Sequence, residues 1–416
     1  MANKEHQKMY FYFINVAILA IFGVNLVHSA TLSTEVDVLR ALKEGIDPNS
    51  IPSNSFISSW DFTLDPCEST GAHFLGILCS IPEDNSSSRI TILDLDGVGY
   101  DGFLTNDIGN LTELTIINLS KNKFRGPIPE SVSKLSRLTA LVMSDNFFTG
   151  SLPQGLRRLK RIQELDVSRN KLTGLIPNWI TNFRSLESLR MASNGFSGRI
   201  PNLAGLWQLH TLDLSNNQLF GILPQLPTSL RTLSLSHNVL SGSIHSIWEL
   251  QNLKMLDLSD NRFSGRIRGI VSLPEVISLN LSVNWFTELQ VPRFAGESTR
   301  LEVLDVQENR LTGHLPANLA TMGKLTAIYL SHNQISGPIP RSFGVRLGAP
   351  WRHVFFDHNF LVGAVPPEFA IQKIKVTGSL AHNCLKCPKN VTMCEGGQRP
   401  APECAGQSVE TSKISQ

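Results

Sequence analysis

One asparagine recurs down most of this chain at nearly constant spacing. It falls at Asn122, Asn146, Asn170, Asn194, Asn217, Asn238, Asn261, Asn284, Asn309, Asn333 and Asn359, with gaps of 24, 24, 24, 23, 21, 23, 23, 25, 24 and 26 residues. Each sits in the frame L-x-x-L-x-L-x-x-N-x-L, with Ile, Val or an aromatic admitted at the apolar positions. Leu114, Ile117, Leu119, Asn122 and Phe124 form one copy, and Leu209, Leu212, Leu214, Asn217 and Leu219 another. A period of this size, repeated eleven times in frame, specifies a stacked-repeat architecture rather than a globule built around one centre.

Within each copy the x-L-x-L-x core alternates with period two, which is strand spacing. One short strand per turn, stacked ~4.8 Å from the next, makes a parallel sheet. The alternating aliphatics point into the coil and the residues between them point out onto a concave face. A single turn cannot bury its apolar side; its neighbours must do so. The asparagine marks the bend that ends each strand. Its amide both donates and accepts, so a buried stack satisfies main-chain groups that would cost about 1–3 kcal/mol each if orphaned. These asparagines are therefore expected to be structural.

A second motif follows many of the asparagines. It reads Gly126-Pro127-Ile128-Pro129, Gly174-Leu175-Ile176-Pro177, Gly198-Arg199-Ile200-Pro201 and Gly337-Pro338-Ile339-Pro340, with variants at Gly150, Gly221, Gly313 and Gly363. Gly permits a tight turn, Ile fills the core and Pro ends hydrogen-bonded structure. Across about residues 33–404 the chain resembles the plant-specific subclass of leucine-rich repeats, whose consensus contains L-x-G-x-I-P. The resemblance implies a leucine-rich-repeat solenoid of the α/β class. This is a curved, superhelically twisted right-handed coil with a parallel concave sheet, a second short strand at the G-x-I-P segment and disulfide-bonded caps. The motif lapses at Gly242-Ser243-Ile244-His245 and Gly265-Arg266-Ile267-Arg268, and nearly vanishes after Asn284, so the lateral face is expected to be irregular over about residues 240–295.

The expected organisation is a signal peptide over 1–30, an N-terminal cap over 31–88, about twelve repeats over 89–380, a Cys-rich C-terminal cap over 381–404 and a polar tail over 405–416. The apolar run Phe11 to Val27, after a head carrying Lys4 and Lys8 and before Ser29 and Ala30, carries the signal reading. Plant receptor kinases continue past their repeats into a membrane span and a kinase domain. Neither follows here, so the expectation is a secreted, extracellular protein of the apoplast or wall, or one peripheral at the outer face of the plasma membrane.

All six cysteines lie in the flanks. Cys67 and Cys79 resemble the pair that closes the N-terminal cap in the plant family. Thr34 to Lys43 is expected as the cap helix, with Thr34 and Asp37 placed like a capping box. Trp60 fits the family's S-S-W position, and Phe74 is expected to fill the volume of an aromatic missing between the two cysteines. Cys384, Cys387, Cys394 and Cys404 read as two disulfides rather than as a zinc site, with all three pairings open. Asn85, Asn110, Asn118, Asn280 and Asn390 are N-x-S/T sequons and candidate carriers of N-linked glycans. Asn118 and Asn280 fall between inward residues of their strands and should face the concave side.

The formal net charge of +2 gives no strong field, and no basic stripe with interleaved aromatics points to nucleic acid. Arg157, Arg158, Lys160 and Arg161 cluster where the convex side is expected. Asp94 and Asp96 look like a carboxylate pair but are expected on a solvated concave face. No nucleophile elbow, paired-histidine metal motif or phosphate cradle occurs in a fitting context, so no enzyme, cofactor or metal is expected.

Binding is expected on the concave face. Departures from the repeat consensus mark its candidate contacts: Arg190, Tyr329, His332, His353, Phe355 and His358. Tyr329, His332, His353, Phe355 and His358 should converge on the last full strands, unless the C-terminal cap folds over Phe355 and Phe360. A metal held by the three imidazoles is the lesser reading. The resemblance implies a recognition protein for a peptide or protein, with a receptor-kinase ectodomain as a membrane partner. The alternative is an inhibitor of an extracellular hydrolase, similar to polygalacturonase-inhibiting proteins.

Overall fold

A computed structural model describes residues 30–69, 71–81, 86–293, 299–370 and 376–405. The signal segment up to residue 29, Asn85 itself and all but the first residue of the polar tail lie outside the described residues.

The described residues form one continuous concave sheet of 14 strands running from the N-terminal to the C-terminal end of the coil. Only its first pair is antiparallel, Ile77–Ser80 against Arg89–Asp94; the rest are parallel and in register. Most strands are three residues long. In strands such as Glu164–Asp166 and Thr211–Asp213 the middle residue is buried and its neighbours are half-exposed. The buried aliphatics of successive turns form one core from Val38 to Met393.

The asparagines behave as expected. Asn309 Oδ1 accepts from Phe286 N–H at 3.0 Å, while its Nδ2 donates to the carbonyls of Leu281, Val306 and Gln307 at 3.0, 3.2 and 3.0 Å. The series has a twelfth member that the sequence reading missed: Asn383 makes the same set, to Leu361 N–H and to the carbonyls of Phe356, Leu380 and Ala381. The residue before each asparagine is left-handed, with φ between 50° and 58°. The main chain turns sharply out of the strand at that point, and the side chain there is thrown to the rim.

A second sheet lines the flank, nine strands from Asp101–Phe103 to Trp285–Gln290. Pro129, Pro153, Pro177 and Pro316 each stand immediately before a short 3-10 turn on the convex side. At Gly242-Ser243-Ile244-His245 the strand still ends at Gly242 without the proline, but at the next lapse it runs on: Arg262–Arg268 is seven residues long and pairs with Trp285–Gln290 across a bulge at Gly265/Arg266. The lapse of the motif therefore lengthens strands at this point. A separate three-stranded sheet, Ser336–Pro338, Phe360–Ala364 and Cys384–Lys386, flanks the last turns.

At the N-terminal end the helix spans Ser33–Glu44, and its cap is Leu32 with no side-chain hydrogen bond. The capping box expected from Thr34 and Asp37 does not form. Instead the first-turn Glu35, fully buried, accepts from Arg89 Nε at 2.8 Å and Ile90 N–H at 2.7 Å, tying the helix to the first strand pair. Phe74 is buried, stacked on Trp60 at 6.3 Å and edge-on to Phe62 at 5.4 Å, which fills the cap as expected. Cys67–Cys79 closes this cap; at the other end Cys384–Cys404 encloses Cys387–Cys394. Asp96 is not a free member of a solvated pair. It accepts from Phe56 N–H at 3.2 Å and from the Tyr100 hydroxyl, clamping cap to coil. Burial, with that hydrogen bond to Asp96, pushes the Tyr100 phenol up to about 12. Among the described residues no helix is long and apolar enough to cross a membrane.

Candidate functional site

The last residue of each concave strand forms a column across the sheet. Most acids in it are already occupied. Asp166, Asp213 and Asp257 each accept from the N–H and the hydroxyl of a serine two residues on, Ser168, Ser215 and Ser259. Asn280 does the same with Ser282. These polar groups brace the strand ends. Asp305 is the exception. Gln307 stands where the serine would, so the carboxylate receives only a backbone N–H, at 3.1 Å. Burial drives its pKa up to about 6, with repulsion from Asp257 and Glu308 adding to that and the Gln307 N–H opposing it.

Beside Asp305 the column turns aromatic. Tyr329 and Phe355, paired in register, are half-buried and stacked with centroids 5.4 Å apart and planes 14° apart. They place two parallel rings side by side on adjacent strands. The C-terminal cap reaches Phe360, where Arg399 lies 4.4 Å over the ring and its Nε donates to Asn359 O at 2.8 Å. Trp285 and Arg310 make a like pair at 4.8 Å on the rim.

The left-handed rim positions carry the imidazoles. His332 and His358 stack with centroids 4.0 Å apart, and His382 lies tilted against His358 with centroids 4.3 Å apart. Asp357 Oδ2 lies 2.7 Å from His358 Nδ1, and Asp357 Oδ1 accepts from the Ser331 hydroxyl at 2.7 Å. Burial pushes the Asp357 carboxyl up, but the hydrogen bonds from Ser331 and His358 outweigh it, and its pKa falls below the usual range.

The structure thus brings Tyr329, Phe355, His332 and His358 together on neighbouring turns. His353 opens its strand, in register with Ala327 and Thr377; it is exposed and lies on the same face as Phe355 without belonging to the ring stacks. Arg190 stands apart: the strands ending at Asp213, Ser234, Asp257, Asn280 and Asp305 separate it from Tyr329. That is six strand steps, roughly 29 Å at ~4.8 Å each. It pairs with Glu164 Oε1 at 2.9 Å. Asp305, Asp357, Ser331 and His382 complete the site without having been singled out. The column position of His382, directly before Asn383, was the available signal.

Of the sequons, Asn110 and Asn390 are exposed. Asn118 and Asn280 lie in the concave column, Asn118 donating to Asp94 Oδ1 at 2.8 Å. The cluster Arg157, Arg158, Lys160 and Arg161 is exposed at the convex turn.

Residues 78–336 match the family described as "Leucine-rich repeat region", and residues 32–80 the one described as "Leucine rich repeat N-terminal domain". A stretch of 47 residues, 11% of this chain, is 51% identical to a segment making up 5% of the LRR receptor-like serine/threonine-protein kinase EFR of Arabidopsis thaliana. Among solved structures, the plant peptide hormone receptor RGFR1 in complex with RGF2 superposes with a TM-score of 0.63 at 27% identity, covering 72% of this chain and 52% of that one. A TDR receptor superposes at 0.59 and 28% identity, covering 73% of this chain and 62% of that one. The chain spans less than two thirds of the length of each of these relatives.

Proposed function

The chain belongs to the leucine-rich-repeat family, and from that premise we propose that it is an extracellular recognition protein binding a peptide or protein on its concave face. The observation that carries this is the Tyr329–Phe355 stack beside the imidazole rim. Aromatic rings held rigid on adjacent strands bury area on binding with little loss of conformational freedom, and such anchors dominate interface energetics. RGFR1, similar in fold, is bound to RGF2 in its structure, which supports a peptide as the ligand class. A receptor-kinase ectodomain is the proposed membrane partner. Recognition here is by shape, with no chemistry performed on the ligand. Glycans are proposed at the exposed Asn110 and Asn390, and one at Asn280 would border the site two strands before Tyr329.

Immobilised chain lacking residues 1–30, exposed to plant extracellular extract, tests the reading against the Tyr329→Ser/Phe355→Ser variant. A partner captured by the parent and lost by the variant, with the unfolding midpoint unchanged, is the expected result. Equal capture by both removes the patch from consideration. A hydrolase as the captured partner would replace recognition by inhibition.

A further inference from the structure

The position before each asparagine is left-handed in every turn, and His tolerates that region better than most residues. Because successive turns lie in register, side chains at this position meet their counterparts one turn away. Earlier in the coil the meetings are between complementary polar groups: Arg169 Nη1 to Asp145 Oδ1 at 3.2 Å, Asn216 Nδ2 to Ser193 Oγ at 3.1 Å and His237 Nδ1 beside Asp260 Oδ2 at 2.7 Å. At the C-terminal end the column instead reads Glu308, His332, His358, His382. Three imidazoles in a row do not neutralise one another. What they offer is a set of nitrogen lone pairs, beside the carboxylate of Asp357.

One ligand atom from each of His332, Asp357 and His358 can be chosen so that all three lie within 4.8 Å of one another. We infer that these three side chains form a binding site for a divalent transition-metal ion of the zinc class, at the rim of the concave sheet. Two imidazoles and one carboxylate are a donor set that suits zinc and copper, whereas magnesium and calcium prefer oxygen alone. Ligand distances of ~2.0–2.2 Å require the donors to draw in by about 1 Å. His332 is exposed and supplies that movement by rotating its ring. His358 Nδ1 and Asp357 Oδ2 lie 2.7 Å apart, so two of the three donors already face one point at the rim. Ser331 holds the other carboxylate oxygen at 2.7 Å, and His382 backs the far face of the His358 ring at 4.3 Å. Exposed Glu308, next in the column, adds negative charge at the open side. The proposal differs from the sequence expectation in two ways: it assigns a metal, and it takes Asp357 as the third ligand, with His353 left outside.

The site is independent of the peptide reading and is tested without a partner. Zinc chloride is titrated into metal-stripped full chain by calorimetry. One equivalent bound by the parent is expected. His332→Asn/His358→Asn keeps a side chain suited to the left-handed backbone and should abolish binding without shifting the unfolding midpoint. Ser331→Ala should weaken it about 10-fold, the usual effect of removing a group that orients a ligand. His353→Ala should leave it unchanged. Copper(II) bound by the parent should show coupling to two imidazole nitrogens in its paramagnetic resonance spectrum. Absence of binding by the parent, or undiminished binding by the double variant, overturns the site.

Discussion

Replacing Asp305 by Asn isolates the cost of one charge in the concave sheet. The equivalent acids Asp166, Asp213 and Asp257 are each held by a serine hydroxyl and an N–H, whereas Asp305 has only the Gln307 N–H at 3.1 Å. Burial and the nearby Asp257 and Glu308 raise its pKa from 3.8 to about 6. That displacement corresponds to roughly 3 kcal/mol at 1.36 kcal/mol per unit. The residue is only half-buried, so solvent screening reduces the figure to about 1–1.5 kcal/mol. Between about pH 4 and pH 6 the folded chain binds more protons here than the unfolded chain, so stability falls as pH rises through that window. Above it the full cost is present. Asn keeps the oxygen that accepts from Gln307 and removes the charge. Urea unfolding at several pH values, with hydrogen exchange of the amides around 303–307 as the local readout, should show the variant more stable by about 1 kcal/mol at pH 7. The difference should vanish below pH 4. Gln307→Ser, which restores the missing hydroxyl, should act in the same direction with the carboxylate in place. A variant indistinguishable from the parent at pH 7 would refute the reasoning.

Asn309→Ala leaves Phe286 N–H and three buried carbonyls without their shared partner, and a loss of about 3 kcal/mol is expected by urea unfolding. A loss below about 1 kcal/mol would show that water replaces the amide. Arg89→Met strands the buried Glu35 carboxylate and should cost about 3 kcal/mol, while Glu35→Gln/Arg89→Met recovers most of it. Equal stability of the single and double variants in a denaturation series would count against the pairing.

The repeat frame made the coil legible because periodic burial and a periodic bend leave the same mark in every turn. Asn122 through Asn359 could be read that way. Asn383 escaped because Cys384 and the cap residues around it disguise its frame, although Leu380 and Leu385 keep the spacing. The aromatic pair was readable because Tyr329 and Phe355 break a polar column. Arg190 breaks the same column, yet strand spacing leaves it far from them and Glu164 already holds it. Asp305 could not be picked out, since its residue type matches the consensus and only the absence of a serine at 307 distinguishes it. The N-terminal helix began differently because a long-range contact, Glu35 with Arg89 and Ile90, took over from local capping. The nested cysteine pairing depends on how the last turn folds back, which spacing does not encode.

The flanking sheet does not run the length of the molecule. Past Trp285–Gln290 the next turn is joined back to it by Arg310 N–H to Phe286 O and Thr312 N–H to Thr287 O, and onward by Gln334 N–H to Leu311 O, Ser336 N–H to Gly313 O and the bridge His314–Ser336, before strand pairing resumes at Ser336–Pro338. The coil is stitched along two seams, and among the described residues the second seam here is held by these hydrogen bonds without a regular strand. In an array held together by nearest neighbours, compliance gathers at the thinnest joint. That joint lies just ahead of the turns bearing Tyr329 and Phe355. A guest settling on those rings therefore rests on turns whose own flank belongs to a different sheet from the one behind them.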